Sequence, residues 1–194
     1  DGKPVHPFMP YWALGNMRDE DAEAIVAYLR SVPGVEHMLP PSEPPFRTPE
    51  RAAERWPLEQ IPEPSDAAPE RAAGLRGRYL AAEVGLCMAC HTPRGDDGSP
   101  VYANAFQGGR QLMAAQFEWA TPSIAGLGAG AIDALAMKIK HAHGPALCPD
   151  PAPLGQSPFE ALRDEDARDI AHYLASLPPS PTTTPAVCRS TAGR

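Results

Sequence analysis

Strand-forming patterns, clusters of basic residues and long apolar runs are nearly absent from this sequence. Alternating runs of Val, Ile, Thr and aromatic residues, which mark β-strands, hardly occur. No two lysines or arginines are adjacent and the net charge is −7. Nucleic acid and anionic membrane surfaces are therefore unfavourable partners, whereas a basic surface on another protein would be complementary.

Membrane-spanning and targeting segments are also missing. No apolar stretch approaches the roughly 20 residues that a transmembrane helix requires. The first residues show no signal peptide, and we expect any leader or membrane anchor to have been removed or to lie upstream.

Proline, by contrast, is abundant, with 25 among 194 residues. Because proline lacks a backbone N–H donor and has a fixed φ, the chain is predicted to be all-α, with helices joined by long Pro-rich loops. The spacing of apolar residues predicts helices over 19–32, 70–87, 129–142 and 164–177.

Two of these predicted helices are copies of each other. The run RDEDA occurs at 18–22 and again at 163–167, and the register then holds over an offset of 145 residues. It pairs Ile25 with Ile170, Tyr28 with Tyr173, Leu29 with Leu174 and Pro33 with Pro178. An unbroken register of this kind predicts a duplicated domain.

The repeat predicts three regions along the chain. Residues 1–36 are interpreted as the C-terminal remnant of a preceding domain, whose front would lie upstream. Residues 37–69 are rich in Pro and Glu and are predicted to form a semi-rigid linker. Residues 70–194 are predicted to form the second domain.

The chemistry is concentrated in one pentapeptide, CMACH, at residues 87–91. A C-x-x-C-H run is typical of c-type haem attachment: Cys87 and Cys90 would form thioether bonds to the haem, and His91 would be the proximal iron ligand. A structural zinc site usually needs two ligand pairs, and Cys148 and Cys188 are isolated from each other. The run therefore predicts one covalently bound haem.

The two remaining cysteines are predicted to pair. A disulfide between Cys148 and Cys188 would fit an oxidising compartment, where covalent haem attachment also takes place. The alternative is two unrelated free thiols. A periplasmic or otherwise extracytoplasmic location is expected.

Residues 70–190 resemble a cytochrome c domain of diheme c-type cytochromes, including the cytochrome subunits of periplasmic dehydrogenases. The resemblance rests on CMACH, on FQGGR at 106–110, on TPSI at 121–124 and on the last helix, DEDARDIAHYLASLPP. It implies cytochrome c-like helices around a covalently bound haem, with the first and last helices crossing beside it. One haem c is expected in this chain and a second upstream. Arg110 either pairs with a haem propionate or is solvated.

The family places an axial Met on the loop before the last helix. The pair Met9-Pro10 occupies that place in the first copy, so Met9 is a candidate axial ligand of the upstream haem.

The second copy departs from this pattern, because Pro151 occupies the expected Met position. Three alternatives follow for the sixth ligand of its haem. His143, or else His141, could close the iron; the position could be open or held by water; or Met113 or Met137 could supply a thioether. Met137 lies in an apolar helical stripe, which favours packing in the core.

These observations predict an electron-transfer protein that is not itself an enzyme. It would be a module or subunit of a larger respiratory or dehydrogenase chain, with a dehydrogenase subunit or another cytochrome as partner. The alternative is a haem-based ligand-binding or sensor module, with an open or His-closed sixth position.

Overall fold

A computed structural model describes residues 9–38, 54–66, 70–114, 117–127, 129–141, 159–181 and 188–190. The chain divides into two compact units, Asp1–Trp56 and Pro57–Arg194.

Within its described residues, the first unit contains two helices, α1 (Tyr11–Leu14) and α2 (Asp19–Ser31). The indole rings of Trp12 and Trp56 pack with their centroids 4.7 Å apart. The Trp56 amide donates to the Trp12 carbonyl at 2.9 Å, and the Asn16 side chain donates to the Trp56 carbonyl at 3.0 Å. This part of the predicted Pro-rich linker is thus held against α1.

The second unit is built from helices and a small sheet. Its α-helices are α3 (Arg71–Tyr79), α4 (Cys87–His91), α5 (Ile132–His141) and α6 (Asp164–Ser176). A π-helical turn, Leu80–Val84, continues α3, and short 3-10 helices occupy Leu58–Gln60, Tyr102–Asn104 and Ala129–Ala131. The all-α prediction is confirmed, since helices dominate the described residues.

A three-stranded antiparallel sheet was not foreseen from the sequence. Strands β1 (Gln111–Ala114), β2 (Phe117–Ala120) and β3 (Cys188–Ser190) are arranged in the order β1-β2-β3. Each strand has only three or four residues. Strands this short show no alternation long enough to detect in a sequence.

The core of the second unit forms where α3 crosses α6. A Cβ atom added at Gly77 would lie 1.8 Å from the carbonyl oxygen of Asp169, so the two backbones are in direct contact. The hydroxyl of Tyr173 donates to the Pro62 carbonyl at 2.9 Å, and its ring packs edge-on against Phe106 at 5.4 Å. One face of α6 is thereby buried, which positions α3 and the turn that follows it.

The two copies of the repeat form helices with equivalent ends. Helices α2 and α6 both have 13 residues, and their first residues are offset by the 145 residues of the repeat. Each begins after an extended arginine, Arg18 or Arg163, and has three acidic residues in its first turn. Acidic residues there stabilise the positive end of the helix dipole.

Two predicted helices differ from the observed ones. The helix predicted over 70–87 is interrupted: α3 and its π-helical turn end at Val84, and Leu86 adopts a left-handed conformation before α4 begins. In α5, Met137 is 55 % exposed, so the expectation that it packs in the core is wrong. Leu135 and Ala136 are the buried residues of that helix.

A charged cluster joins α3 to α6. The guanidinium of Arg76 lies 2.5 Å from a carboxylate oxygen of Asp166 and 2.6 Å from one of Asp169. Both aspartate side chains are only 12 % exposed. The pKa of Asp166 is lowered, chiefly by its hydrogen bond from Arg163 and further by that from Arg76.

Replacing Arg76 by methionine is expected to lower the free energy of unfolding by about 2–3 kcal/mol at pH 7. The substitution removes the charged hydrogen bonds to Asp166 and Asp169 and leaves their largely buried carboxylates with fewer partners. A lowered folded-state pKa stabilises the protein above the unfolded value of about 3.9, and that contribution disappears as the pH falls through the folded-state pKa. The difference between the variant and the wild type should therefore narrow below about pH 4.

The measurement is urea unfolding at several pH values. Arg71→Met is the matched control on the same helix, since Arg71 contacts the exposed carboxylates of Glu63 and Asp66. It should cost no more than about 0.5 kcal/mol. Equal losses in the two variants would contradict the role assigned to Arg76.

Candidate functional site

The C-x-x-C-H run forms its own short helix, α4. Leu86, with φ of 56°, ends the preceding segment and sets the direction of the new one. Cys87 and Cys90 are three residues apart in this helix, so their thiols project from the same side. Met88 and Ala89 are buried, which anchors the helix and leaves both cysteines and His91 at partial exposure.

The His91 ring is oriented by one hydrogen bond. Its Nδ1 lies 2.9 Å from the carbonyl oxygen of Pro122. A carbonyl can only accept, so Nδ1 must carry the proton, and Nε2 keeps a lone pair for a metal. Burial lowers the pKa of His91, with a smaller opposing effect from the Pro122 carbonyl. The imidazole is therefore neutral at neutral pH, as iron coordination requires.

Two loops hold the end of α4. The Gly108 amide donates to the His91 carbonyl at 2.7 Å, and the Phe106 amide donates to the Thr92 hydroxyl at 3.1 Å. Gly108 has a φ of 78°, and a Cβ atom there would lie 2.5 Å from the carbonyl carbon of Pro122. Glycine is therefore required where the FQGGR loop meets the TPSI loop.

The small sheet continues into this region. The Gly109 amide donates to the Thr121 carbonyl at 2.8 Å, and the Thr121 amide donates to the Arg110 carbonyl at 2.9 Å. These bonds extend the pairing of Gln111 with Ala120, where β1 begins and β2 ends. The β1–β2 hairpin thus fixes the position of the Pro122 carbonyl, and with it the orientation of the His91 ring.

Two arginines converge on the carbonyl of Ala89, between the two cysteines. Arg94 donates to it at 3.1 Å, and Arg110 donates to the same oxygen. The pKa of Arg94 is lowered by burial first and then by the charge of Arg110. Two neighbouring guanidinium groups are well suited to paired carboxylates. Sequence reasoning selected Arg110 but missed Arg94, which directly follows CMACHTP.

The Cys87 thiol is neutral in the protein chain alone. Burial of the thiol among neighbouring atoms raises the pKa of Cys87 to about 12. Together the site offers two thiols on one side of a helix, a neutral imidazole with an unprotonated Nε2, and two adjacent guanidinium groups. The thiols and the imidazole fit a haem with two thioether bonds and one axial nitrogen.

The other predicted site residues are distributed as follows. Met9 is 57 % exposed and lies just before α1, and its carbonyl accepts a hydrogen bond from the Tyr11 amide at 2.7 Å. His141 is the exposed last residue of α5. His143, Cys148 and Pro151 lie outside the described residues, as do the side chains of Met113 and Cys188. The predicted disulfide and the sixth ligand therefore stay predictions.

In the part of the chain that the structure describes, no helix is both long and apolar enough to cross a membrane.

Known proteins resemble nearly the whole chain. It is 30 % identical over 202 residues to the cytochrome c subunit of alcohol dehydrogenase (quinone) from Gluconacetobacter polyoxogenes. The aligned region covers 93 % of this chain and 42 % of that protein. Identity is 29 % over 191 residues to the fructose dehydrogenase cytochrome subunit of Gluconobacter japonicus, which covers 92 % of this chain and 38 % of that protein.

A shorter match involves a third dehydrogenase. The chain is 34 % identical over 103 residues to the gluconate 2-dehydrogenase cytochrome c subunit of Pantoea cypripedii, which covers 48 % of this chain and 22 % of that protein. The chain thus spans less than half the length of these relatives.

The family model for Cytochrome c matches residues 75–178, more than half of the chain and most of the segment from α3 to the end of α6. The match includes the CMACH helix, both loops around His91 and the crossing of α3 with α6. The chain therefore belongs to the cytochrome c family, whose cofactor is covalently bound haem c and whose role is electron transfer.

Proposed function

We propose that this chain transfers single electrons through one haem c held by Cys87, Cys90 and His91. The observation that carries the proposal is the hydrogen bond from His91 Nδ1 to Pro122, because it presents Nε2 to an iron. When bound, the haem supplies an iron that alternates between its ferric and ferrous states. The chain's own residues attach it, orient the axial ligand and shield it from solvent.

Arg94 and Arg110 are proposed to bind the haem propionates. Their guanidinium groups both donate to the Ala89 carbonyl, within the attachment motif. Burial is the main cause of the lowered pKa of Arg94, and opposite charges there would relieve the repulsion from Arg110 that lowers it further. A propionate so neutralised would also raise the reduction potential, since net charge near a haem helps to set its potential.

The chain is proposed to act as a module of a larger oxidoreductase. Its relatives are named as cytochrome subunits of alcohol, fructose and gluconate dehydrogenases, and we extend that role to this chain: it would accept electrons from a dehydrogenase subunit or another cytochrome. The relatives do not favour the ligand-sensing alternative. Periplasmic location and a Cys148–Cys188 disulfide belong to the same proposal.

Residues 1–36 are proposed to be the end of a preceding haem domain, followed by a linker over 37–69. The equivalent ends of α2 and α6 support this assignment. Met9 would be the axial ligand of the upstream haem, and its exposed side chain lies ahead of α2 in the chain. The full-length protein would then carry at least two haems.

His143 is the proposed sixth ligand of the iron in the haem that this chain attaches. Its replacement by alanine is expected to convert a low-spin haem to a high-spin one, because one of the two axial nitrogen ligands is lost, and the visible spectrum reports the change. His141→Ala is the matched control, two residues away. A low-spin spectrum that survives in His143→Ala would contradict the assignment.

The experiment that tests the function is a redox titration of the isolated haem protein, with the visible spectrum of the haem as the readout. Reversible one-electron behaviour and rapid reduction by a purified dehydrogenase subunit are expected. Fast binding of carbon monoxide to the reduced protein, without electron transfer to any acceptor, would overturn the proposal.

A further inference from the structure

One tryptophan from the Pro-rich segment is inserted against α1. Trp56 is 6 % exposed, although Arg55 before it is exposed, and its ring packs on that of Trp12 with the centroids 4.7 Å apart. Within the described part of the first unit, Ala13 and Trp56 are the buried apolar residues. The large apolar side chains of α2 are instead 45–68 % exposed: Ile25, Val26, Tyr28, Leu29 and Val32. The apolar packing of this part therefore lies where Trp56 meets α1.

Polar contacts tie the backbone at the same place. The Trp56 amide donates to the Trp12 carbonyl at 2.9 Å, and the Asn16 side chain donates to the Trp56 carbonyl at 3.0 Å. Asn16 and Trp56 are 40 positions apart, so closing this loop costs entropy that the contacts must offset. Arg55 also lies against Gly15, where a Cβ atom would be 2.9 Å from its Nε.

Helix α1 depends on such support. It has four residues, little more than one turn, and an isolated turn is unstable in water because nucleation orders several residues for one hydrogen bond. The same turn holds the backbone of the candidate ligand. The Met9 carbonyl accepts from the Tyr11 amide at 2.7 Å, and the Pro10 carbonyl accepts from the Leu14 amide at 2.9 Å. Whatever fixes α1 therefore also fixes the backbone at Met9.

We infer that Trp56 is a positioning residue for Met9. By holding α1 in place, it keeps the Met9 sulfur on the iron of the upstream haem. The inference rests on the proposed function, because it takes Met9 as the axial ligand of that haem. It goes further by assigning residues 54–56 of the predicted linker to the domain that binds this haem.

The inference predicts how easily another ligand displaces Met9. Free imidazole binds only to iron that Met9 has left, so its apparent affinity is proportional to the fraction of haem in the Met-released state. Loss of the Trp56 contacts loosens α1 and raises that fraction. The upstream haem should then bind imidazole at lower concentrations.

The test is a titration of the ferric full-length protein with imidazole. The readout is the far-red absorption band of an iron–thioether bond, and Met9→Ala, measured in parallel, identifies the part of the band that belongs to Met9. In Trp56→Ala, the imidazole concentration that halves this part should fall at least about tenfold. An unchanged concentration would overturn the inference.

Two further variants serve as controls. Trp56→Phe keeps an aromatic ring against Trp12 and should stay within about threefold of the wild type. Ile61→Ala removes a side chain that is 1 % exposed and belongs to the same Pro-rich segment, but in the second unit. It should leave the titration unchanged, and a fall equal to that in Trp56→Ala would overturn the inference.

Asn16→Ala decides the question if the upstream domain of Trp56→Ala does not fold. It removes the hydrogen bond to the Trp56 carbonyl and leaves both indole rings in place. The imidazole concentration should fall about threefold or more, as expected for one net hydrogen bond. No change in a folded Asn16→Ala protein would then overturn the inference.

Hydrogen exchange of the Trp56 amide gives an independent measurement. Coupling between two sites is reciprocal, so loss of the Met9–iron bond should in turn loosen Trp56. In Met9→Ala, this amide should exchange faster by a factor similar to that of the imidazole titration, because its bond to the Trp12 carbonyl opens more often. Equal exchange in Met9→Ala and the wild type would overturn the inference.

The Met9→Ala variant separates this inference from the proposed function. A thioether band that persists in Met9→Ala would reject Met9 as the axial ligand, and the inference with it. A band that is lost in Met9→Ala but is insensitive to imidazole in the same way in Trp56→Ala and the wild type would keep the ligand and reject the positioning role.

Discussion

Replacing Cys87 and Cys90 together by serine is expected to abolish covalent haem attachment, from one haem per chain to none at this motif. Both thioether bonds would be lost, since each needs a thiol sulfur. His91 would remain, but a single axial bond does not survive denaturation. The measurement is haem staining after denaturing electrophoresis, together with the mass of the intact chain.

The chain offers a matched control in its two other cysteines. Cys148→Ser with Cys188→Ser removes the same number of thiols and should leave the haem covalently attached. The control is expected instead to lower the free energy of unfolding by about 2–4 kcal/mol, if the predicted disulfide is lost. Covalent haem in the first double variant, or its loss in the control, would contradict the assignment of the attachment site.

Gly77→Ala should be the most destabilising single substitution of a small residue in α3, with a loss of about 3 kcal/mol or more. The new Cβ atom would lie 1.8 Å from the carbonyl oxygen and 2.4 Å from the carbonyl carbon of Asp169. Neither atom belongs to a flexible side chain, so α3 and α6 would have to separate. That separation would loosen the contacts of Tyr173 and Leu174.

The measurement is the free energy of unfolding from a urea titration in which far-ultraviolet circular dichroism reports the loss of helix. Gly74→Ala, one turn earlier in α3, is the matched control, because its new Cβ atom would lie 3.1 Å from the side chain of Pro64. Both variants gain about 1 kcal/mol of helix propensity, so the difference between them isolates the helix crossing. Equal stabilities would show that the crossing tolerates a methyl group.

The attachment motif and the helical class were predictable from the sequence because both depend on local patterns. CMACH is contiguous, so its meaning needs no tertiary structure. The ends of α2 and α6 were also predictable, since acidic first turns and following prolines act within a few residues. The family prediction is confirmed by the match over 75–178.

The surroundings of the motif were not predictable, because they are made by residues distant in the chain. The Pro122 carbonyl reaches His91 across 31 positions, through a hairpin whose strands are too short to recognise. No sequence pattern distinguishes Arg94 from a solvated arginine. Its role is indicated only by its position beside Arg110 and the Ala89 carbonyl in the folded chain.

Amphipathic spacing likewise predicted an apolar face on both copies of the repeat, but not its burial. Burial depends on whether another element lies against the face, and spacing along one helix carries no information about that. The same limit explains Met137, whose place in an apolar stripe suggested the core although its side chain is exposed.

Neighbouring residues encode the attachment chemistry, the all-α class and the two equivalent helices, and these features therefore follow from the sequence alone. The tautomer of His91, the need for glycine at position 77 and the exposure of the α2 face became known only from the folded chain. Each of these depends on whether segments far apart in the sequence lie against each other, and such contacts exist only once the backbone has folded.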